Sequence, residues 1–288
     1  MNIVNLFNGK YKRLDLRETS DLKLAREEYD KGGIDSIRVC REINRKNFFN
    51  EFLKYFEDIE GLNLSPYGEG VSYDFLYDMT SLKYLHLHTM YPVDFEKLKE
   101  LETLSLWWNK KMITNFDKLQ NLEHLSITEF DEKDLTKLSS LTNLKTLSFK
   151  TAKIKSLKGI ETLTKLKCVS FGGVRSLTDI SDITTLQKLK FLEFDICWKL
   201  QNFNPIGELK ELEVLKLLDC KNLTSIKFVK DMPNLRQLYT LGTTIINDFD
   251  TTPAENVPVF FGSQYKKYNK QYPEKEMQEG QKSWSSYL

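Results

Sequence analysis

The chain contains three histidines, and their type and spacing are the first features that could carry chemistry. His86 and His88 are separated by one residue, so on a β-strand both imidazoles would lie on the same face. Such a pair could bind zinc, but His124 lies much further along the chain and no cysteine stands near the pair to complete a tetrahedral set. The pattern therefore argues against a metal site, and a metal-dependent or catalytic role of the histidines is kept as an alternative.

Serine and cysteine are the other residue types that could act as nucleophiles. Ser126 lies two residues from His124, yet a catalytic serine also needs an acid that orients its base, and the sequence places none behind this histidine. Cys40 and Cys168 have no evident histidine or cationic neighbour to activate a thiol. The sequence therefore predicts a protein that is not an enzyme and that uses no cofactor or metal.

The element that positions these residues is an apolar pattern, L-x-x-L-x-L, which recurs eight times. Successive copies begin 19, 21, 22, 22, 23, 23 and 23 residues apart. A period near 22 residues indicates one supersecondary repeat stacked on itself, with the leucines inside and the residues between them outside. The apolar residues of the copies are Leu82/Leu85/Leu87, Leu101/Leu104/Leu106, Leu122/Leu125/Ile127, Leu144/Leu147/Phe149, Leu166/Val169/Phe171, Leu189/Leu192/Phe194, Leu212/Leu215/Leu217 and Leu235/Leu238.

This pattern resembles that of leucine-rich-repeat proteins with short repeats, such as the internalins. The resemblance implies an α/β solenoid, a right-handed horseshoe with a concave parallel β-sheet and short helical or 3-10 segments on its convex side. It also implies that the ninth residue of each repeat, usually Asn, Cys or Thr, turns inward and bonds to backbone groups in a ladder between repeats. The ninth residues here are Met90, Asn109, Phe130, Ala152, Val174, Cys197, Cys220 and Thr243.

Cys197 and Cys220 hold the ninth position in adjacent repeats. Strand spacing puts their Cα atoms about 5 Å apart, which is within the range that a disulfide can bridge. We interpret them as buried thiols that serve the ladder, with a disulfide as the alternative.

Two sets of side chains are expected on the concave face, where they would contact a partner. Aromatic rings offer large, rigid contact areas, so the first set predicts a binding surface. Lys216 is expected to pair with Glu193 of the second set, and the neighbouring Leu218 and Leu241 either dock a partner or lie under the C-terminal tail. The first set is Tyr84, His86, His88, Trp107, Trp108 and His124, and the second is Phe191, Glu193 and Asp195. Further partner-binding residues expected on the same face are Lys150, Lys216 and Tyr239.

The sequence divides into three segments: an N-terminal cap with three degenerate repeats over 1–81, regular repeats over 82–250, and a C-terminal cap and polar tail over 251–288. Residues 1–10 are predicted to cap the open end of the core. Residues 45–58 are predicted to be helical, because four phenylalanines fall on one helical face. Val259, Phe260 and Phe261 are predicted to close the far end, and the chain beyond Gly262 is either an extension of the cap or a mobile tail.

Composition restricts the partners. The 42 Lys and Arg residues nearly balance the 41 Asp and Glu residues, so no overall field favours nucleic acid or an anionic membrane. No stretch approaches the ~18–20 apolar residues that span a bilayer, and the first ten residues lack the features of a secretion signal. Four cysteines are few for a secreted scaffold, so a cytoplasmic location is expected.

The sequence therefore predicts a non-enzymatic protein–protein interaction module that binds a protein partner on its concave face. A chain built mainly from repeats favours an inhibitor or immunity-type protein that caps one target. Besides the catalytic or metal-dependent role of the histidines, the alternative is a fragment of a cell-surface adhesin whose signal has been removed.

Overall fold

The computed structural model describes residues 2–6, 11–42, 47–67, 71–271 and 284–287. The chain divides into two compact units, Met1–Leu122 and Glu123–Leu288. Each unit consists of stacked repeats, and in each the repeat places one short strand in a sheet. The divisions predicted at residues 81 and 250 mark changes in repeat type inside these units and stay predictions.

Within its described residues, the first unit has eight strands, two α-helices and three 3-10 turns. Its strands are β1 (Asn2–Leu6), β2 (Tyr11–Leu16), β3 (Ser36–Glu42), β4 (Gly61–Tyr67), β5 (Tyr84–His88), β6 (Val93–Asp94), β7 (Thr103–Trp107) and β8 (Ile113–Thr114). Its helices are α1 (Leu22–Asp30) and α2 (Phe48–Phe56), and its 3-10 turns are Asp74–Asp78, Phe95–Leu98 and Phe116–Lys118.

Strands β2, β3, β4, β5 and β7 pair in parallel, one repeat beside the next. Strand β1 pairs antiparallel with β2 and so covers the edge of the first repeat; the rest of the predicted cap, residues 7–10, lies outside the described residues. A second, two-stranded sheet joins β6 to β8 in parallel within the two shortest repeats.

Strands β2, β3 and β4 lie in the segment predicted to hold three degenerate repeats. These strands bury apolar residues at the fourth and sixth positions of the pattern, as the regular repeats do. Helix α2 has the predicted buried face, since Phe48, Phe52 and Phe56 are fully buried and Phe49 stacks on Phe75 with ring centroids 4.2 Å apart.

In the part of the second unit that the structure describes, seven strands pair in one parallel sheet, in chain order. They are β9 (His124–Phe130), β10 (Thr146–Ala152), β11 (Cys168–Gly172), β12 (Phe191–Asp195), β13 (Val214–Leu218), β14 (Gln237–Leu241) and β15 (Val259–Gly262). The strands alternate along the chain with 3-10 turns at Thr136–Leu138, Ile160–Thr162, Ser181–Thr185, Asn204–Glu208, Lys227–Asp231 and Thr252–Ala254. A separate 3-10 turn, Trp284–Ser286, lies near the C-terminus.

The turn after each strand depends on one left-handed residue. The eighth residue of every repeat in the second unit has a positive φ, and this directs the ninth residue inward in most repeats. Glycine adopts this conformation most readily, yet only two of these six residues are glycines. The left-handed residues are Glu129, Thr151, Gly173, Ile196, Asp219 and Gly242.

The ladder position was wrongly predicted in two repeats. Met90 is 41% exposed and the preceding Thr89 is buried instead, because this repeat has no left-handed residue at its eighth position. In the last repeat Thr243 is exposed, and the following Thr244 is fully buried. Thr244 donates a hydrogen bond to the carbonyl of Leu217 (2.9 Å) and accepts one from the amide of Cys220 (2.9 Å).

The C-terminal end of the core is closed as predicted. Strand β15 pairs with β14, and Phe260 is buried. Residues 263–271 then extend the cap: the amide of Ile246 donates to the hydroxyl of Tyr268 (2.9 Å), and the amide of Asn269 donates to the carbonyl of Phe249 (3.0 Å). Of the two alternatives for the chain beyond Gly262, this stretch is a cap extension.

Candidate partner-binding surface

Strands β5 and β7 place four aromatic or histidine side chains on the face of the sheet opposite the buried leucines, which we call the open face. On β5, Leu85 and Leu87 are fully buried, so the alternating residues Tyr84, His86 and His88 must lie on the open face, where they are partly exposed. Trp107 on β7 is also partly exposed. We name Tyr84, His86, His88 and Trp107 the aromatic cluster.

The register of the two strands brings the rings of the aromatic cluster together. His88 lies opposite Trp107, with ring centroids 4.7 Å apart and an interplanar angle of 63°. His86 meets the same indole edge-on at 5.9 Å. Trp107 is therefore packed by imidazoles while part of its surface stays open, which is the arrangement of a preorganised contact residue.

His86 also forms a polar contact. Its Nδ1 atom lies 3.1 Å from the hydroxyl oxygen of Ser105, its neighbour on β7. A serine beside an imidazole could form a nucleophile–base pair, but a catalytic triad also needs a third group that orients the base. Here the contact fixes the rotation of the imidazole beside Trp107.

Tyr84 is the first residue of β5 and is partly buried. Burial raises the pKa of its hydroxyl, the charge of Tyr11 acts in the same direction, and Arg13 opposes them. The phenol therefore stays protonated throughout the physiological pH range and offers a neutral donor at the border of the cluster.

Trp108 was wrongly predicted to belong to this surface. Its indole is 6% exposed and packs edge-on against Phe116, with ring centroids 5.3 Å apart. The reason is the missing left-handed residue: with an ordinary φ the eighth side chain of this repeat points into the core, as Thr89 does in the repeat before.

His124 and Lys150 belong to the second unit. His124 is partly exposed on β9, and its Nδ1 atom lies 3.0 Å from the hydroxyl oxygen of Thr146 on β10. Lys150 is exposed at the end of β10. Over the described part of the chain, no three His, Cys, Asp or Glu side chains are grouped closely enough to hold a metal ion.

The second predicted set lies on strand β12, with Lys216 and Tyr239 on the following strands β13 and β14. Lys216 Nζ lies 3.8 Å from a carboxylate oxygen of Glu193, which confirms the expected pair, and Glu193 also accepts a hydrogen bond from Ser170 (2.8 Å). Burial raises the pKa of Asp195, and the nearby carboxylates of Glu193 and Asp219 raise it further. These charged residues are partly exposed on the open face.

Phe191 and Tyr239 were wrongly predicted to be exposed. Phe191 is 1% exposed and Tyr239 is 8% exposed, although both side chains lie on the open face. The ring of Tyr239 stacks on Phe261 at 5.4 Å, and the Nζ atom of Lys216 lies over both Phe191 (5.3 Å) and Tyr239 (5.4 Å). Additional cover comes from the chain's own C-terminal residues.

Trp284 and Tyr287 provide that cover. Both pack against the buried group formed by Cys168, Phe191, Val214 and Tyr239. The sequence left open whether the C-terminal tail covers Leu218 and Leu241. In the structure, the C-terminus lies over part of the open face of the second unit. Leu218 packs against the same group, whereas Leu241 remains 36% exposed, so only the first of these leucines is covered.

Trp198 is an exposed residue that sequence reasoning missed. It is 39% exposed, with the guanidinium of Arg175 4.6 Å and the Nζ atom of Lys221 4.7 Å from its ring centroid. Arg175, Trp198 and Lys221 occupy the tenth position of three successive repeats, directly after the ninth. The signal available in the sequence was an aromatic residue at the tenth position of the repeat, where Tyr91 is the other aromatic residue and the remaining repeats have polar residues.

The cysteines are free thiols in this structure. The Cys197 and Cys220 thiols are fully buried and lie 3.5 Å from the carbonyls of Phe171 and Phe194, so they serve the ladder as interpreted. A hydrogen bond with Cys220 and burial raise the pKa of the Cys197 thiol. Burial likewise raises the pKa of Cys40, and that of Cys168 to about 12, so neither thiol is activated.

Comparisons with known proteins identify the fold. No family model and no curated protein matches the chain. Among solved structures, it is similar to an internalin from Listeria monocytogenes, with 18% identity and a TM-score of 0.50 over 80% of this chain and 74% of that one. It is also similar to the leucine-rich-repeat domain of the type III effector XopL, with 21% identity and a TM-score of 0.52 over 70% of this chain and 76% of that one.

A third similar structure comes from the Toll–Spatzle complex of Drosophila, with 14% identity and a TM-score of 0.59 over 87% of this chain and 40% of that one. The chain is therefore a leucine-rich-repeat solenoid. Within that class it has the fold of the internalin-like proteins, as the sequence pattern predicted. None of the helices in the described residues has the length and apolar character needed to cross a bilayer.

Proposed function

We propose that this protein is a non-enzymatic interaction module that recognises a protein partner with the open face of its sheets. The observation that carries the proposal is the aromatic cluster. Leucines on the same strands are fully buried, so the backbone is fixed, while three rings stay partly exposed beside one another. Tryptophan and tyrosine in such settings supply most of the binding energy of many interfaces.

The similar structures support a binding role for the fold in general. One of them is described in a complex of Toll with Spatzle. A standard interface buries about 800 Å² on each partner. Each strand adds about 4.8 Å to the width of a sheet and is about 16 Å long, so four or five neighbouring strands offer a projected face of roughly 300–400 Å². Loops beside the strands would have to supply the rest of a standard interface.

We further propose that the protein acts as an inhibitor or immunity-type partner in the cytoplasm. The described residues carry free, buried thiols at Cys197 and Cys220, which suits a reducing compartment. A rigid face without an activated nucleophile favours recognition over reaction, since the thiol of Cys168 has its pKa raised and not lowered.

The test is affinity capture from cells of the source organism, followed by binding measurements with the purified partner. Trp107→Ala with Tyr84→Ala removes two rings of the cluster, and Trp198→Ala removes a more exposed indole outside it. We expect the double variant to weaken binding about 30-fold or more, as loss of ~2 kcal/mol at a hot spot implies, and Trp198→Ala to bind as the wild type does.

Equal binding by all three proteins would contradict the proposal, provided that circular dichroism shows the variants folded. The inhibitor role predicts in addition that the activity of the captured partner falls when the complex forms. Elemental analysis of the purified protein tests the metal-dependent alternative, for which stoichiometric zinc would be the positive result.

A further inference from the structure

The open face of the second unit carries an apolar patch formed by Cys168, Phe191, Val214 and Tyr239. The first three are direct neighbours in register on β11, β12 and β13. In the strands before them the same column holds His124 and Thr146, which bond to each other through polar atoms. The change from polar to apolar side chains therefore begins at β11 and is confined to the strands that the C-terminus covers.

Trp284 and Tyr287 lie on this patch with a defined geometry. The indole of Trp284 meets Phe191 edge-on at 5.5 Å and 88°, and the ring of Tyr287 lies 6.3 Å from the same phenylalanine. The amide of Tyr287 donates to the carbonyl of Trp284 (3.2 Å), which forms a tight turn. Two aromatic residues three positions apart are thereby presented to one surface.

One polar contact fixes the register of the tail on the patch. The hydroxyl of Tyr287 donates to the Oε2 atom of Glu213 (3.3 Å), while the other oxygen of that carboxylate accepts from Lys190 Nζ (2.9 Å). Burial, with the nearby Glu213 carboxylate, raises the pKa of Tyr287 and keeps its hydroxyl a donor. Ser286, in the same turn, is exposed.

We propose that the apolar patch is a binding site for peptide segments with two aromatic residues three positions apart, and that residues 284–287 of this chain occupy it as an internal ligand. An external segment of the same chemistry then binds only by displacing the tail. The tail has the advantage of being tethered, because a short connection gives a local concentration in the millimolar range. This inference does not require the aromatic cluster of β5 and β7 to bind anything.

Cys168 reports whether the patch is covered. Its thiol lies within the patch and is fully buried, whereas those of Cys197 and Cys220 are buried in the interior of the repeats. In the full chain carrying Trp284→Ala and Tyr287→Ala, we expect alkylation of Cys168 by N-ethylmaleimide to be at least tenfold faster than in the wild type. Labelling of Cys197 and Cys220 should stay unchanged, and Trp198→Ala, which removes an exposed ring of the same unit outside the patch, should behave as the wild type.

The second measurement uses a fluorescent peptide with the sequence of residues 282–288 as the probe. We expect it to bind the Trp284→Ala/Tyr287→Ala protein with an affinity at least tenfold higher than it binds the wild type, in which the site is filled. A peptide with alanine at both aromatic positions should not bind either protein. Equal Cys168 labelling in the two proteins, or equal or absent binding of the aromatic peptide, would overturn the proposal.

The two proposals fail separately. Trp107→Ala with Tyr84→Ala alters the open face of the first unit and should leave both the peptide affinity and the labelling of Cys168 at their wild-type values. A loss of peptide binding in that variant would count against the assignment of the peptide to the patch on β11 to β14.

Discussion

Phe171 and Phe194 stack in the core of the second unit, with ring centroids 5.2 Å apart and planes within 13° of parallel. Phe149 extends the stack from the repeat before, 5.8 Å from Phe171 and within 7° of parallel. All three hold the sixth position of the apolar pattern and are at most 1% exposed. Adjacent repeats of this unit are thus joined by aromatic contacts as well as by strand hydrogen bonds.

Replacing the middle ring of this stack should be costly. Phe171→Ala removes contacts with both neighbours and leaves a cavity, so we expect a loss of about 3–5 kcal/mol in the free energy of unfolding. Phe171→Leu keeps most of the volume and should lose less than half as much. Urea denaturation of the two variants beside the wild type measures this, and equal losses would show that the stacking itself contributes little.

Thr244 and Thr243 form a matched pair for testing the ladder. Thr244→Val removes the acceptor of the buried Cys220 amide and the bond to the Leu217 carbonyl, so we expect a loss of about 1–3 kcal/mol. Thr243→Val changes an exposed side chain and should stay within about 0.5 kcal/mol of the wild type. Thermal denaturation of the two variants measures the difference. A larger loss of stability in Thr243→Val than in Thr244→Val would show that Thr243 is the ladder residue, as the sequence predicted.

Gly159 and Gly32 differ in what surrounds them at similar positive φ angles. A Cβ atom at Gly159 would lie 2.5 Å from the backbone of Leu135 and Thr136, whereas at Gly32 nothing lies within 4 Å. Gly32→Ala should therefore cost only the left-handed strain, about 1–2 kcal/mol. Gly159→Ala adds overpacking of ~1–3 kcal/mol. Denaturation midpoints that fall equally in both variants would contradict this account of the turn.

The ion pair between Arg26 and Asp58 predicts a pH dependence. The guanidinium bonds both carboxylate oxygens (2.5 and 3.0 Å), and this lowers the pKa of Asp58 below 3.8. A carboxyl whose pKa is lowered by folding stabilises the folded state above its unfolded pKa and loses that contribution as the pH falls through the folded one. Asp58 is 57% exposed, so the contribution is ~0–1 kcal/mol.

Asp58→Asn should accordingly be slightly less stable than the wild type at pH 7, and the difference should shrink as the pH falls below 3.8. Paired urea titrations at pH 7, 5 and 3 measure it. A gap between the two proteins that stays constant down to pH 3 would show that the carboxylate charge is irrelevant and that only the shape of the side chain matters.

The strands and their register could be predicted from the sequence because the pattern is local. Leucine at positions four and six of each repeat decides which face is buried, and the intervening residues follow by alternation. That argument placed His86, His88 and Trp107 on the open face, and there they are partly exposed. Helical periodicity, a different local pattern, placed Phe48, Phe52 and Phe56 on the buried face of a helix.

The turns and the tail could not be predicted in the same way. Whether the eighth residue is left-handed decides where Trp108 points, and residues as different as Glu129 and Ile196 adopt that conformation here. The cover over Phe191 comes from Trp284, far along the chain, and no periodicity links the two. Side chains at the open face were correctly located, but their exposure depended on this long-range contact.

Strands β5 and β7 are each followed by a short strand, β6 and β8, and these two pair with one another. The two repeats that carry the aromatic cluster are therefore joined by strand pairing at two places, β5 with β7 and β6 with β8. Side chains on such a support have little freedom left to lose when a complex forms. The entropic penalty of recognition should then fall mainly on the partner, and a stiff partner should associate with this surface more strongly than a loosely folded one.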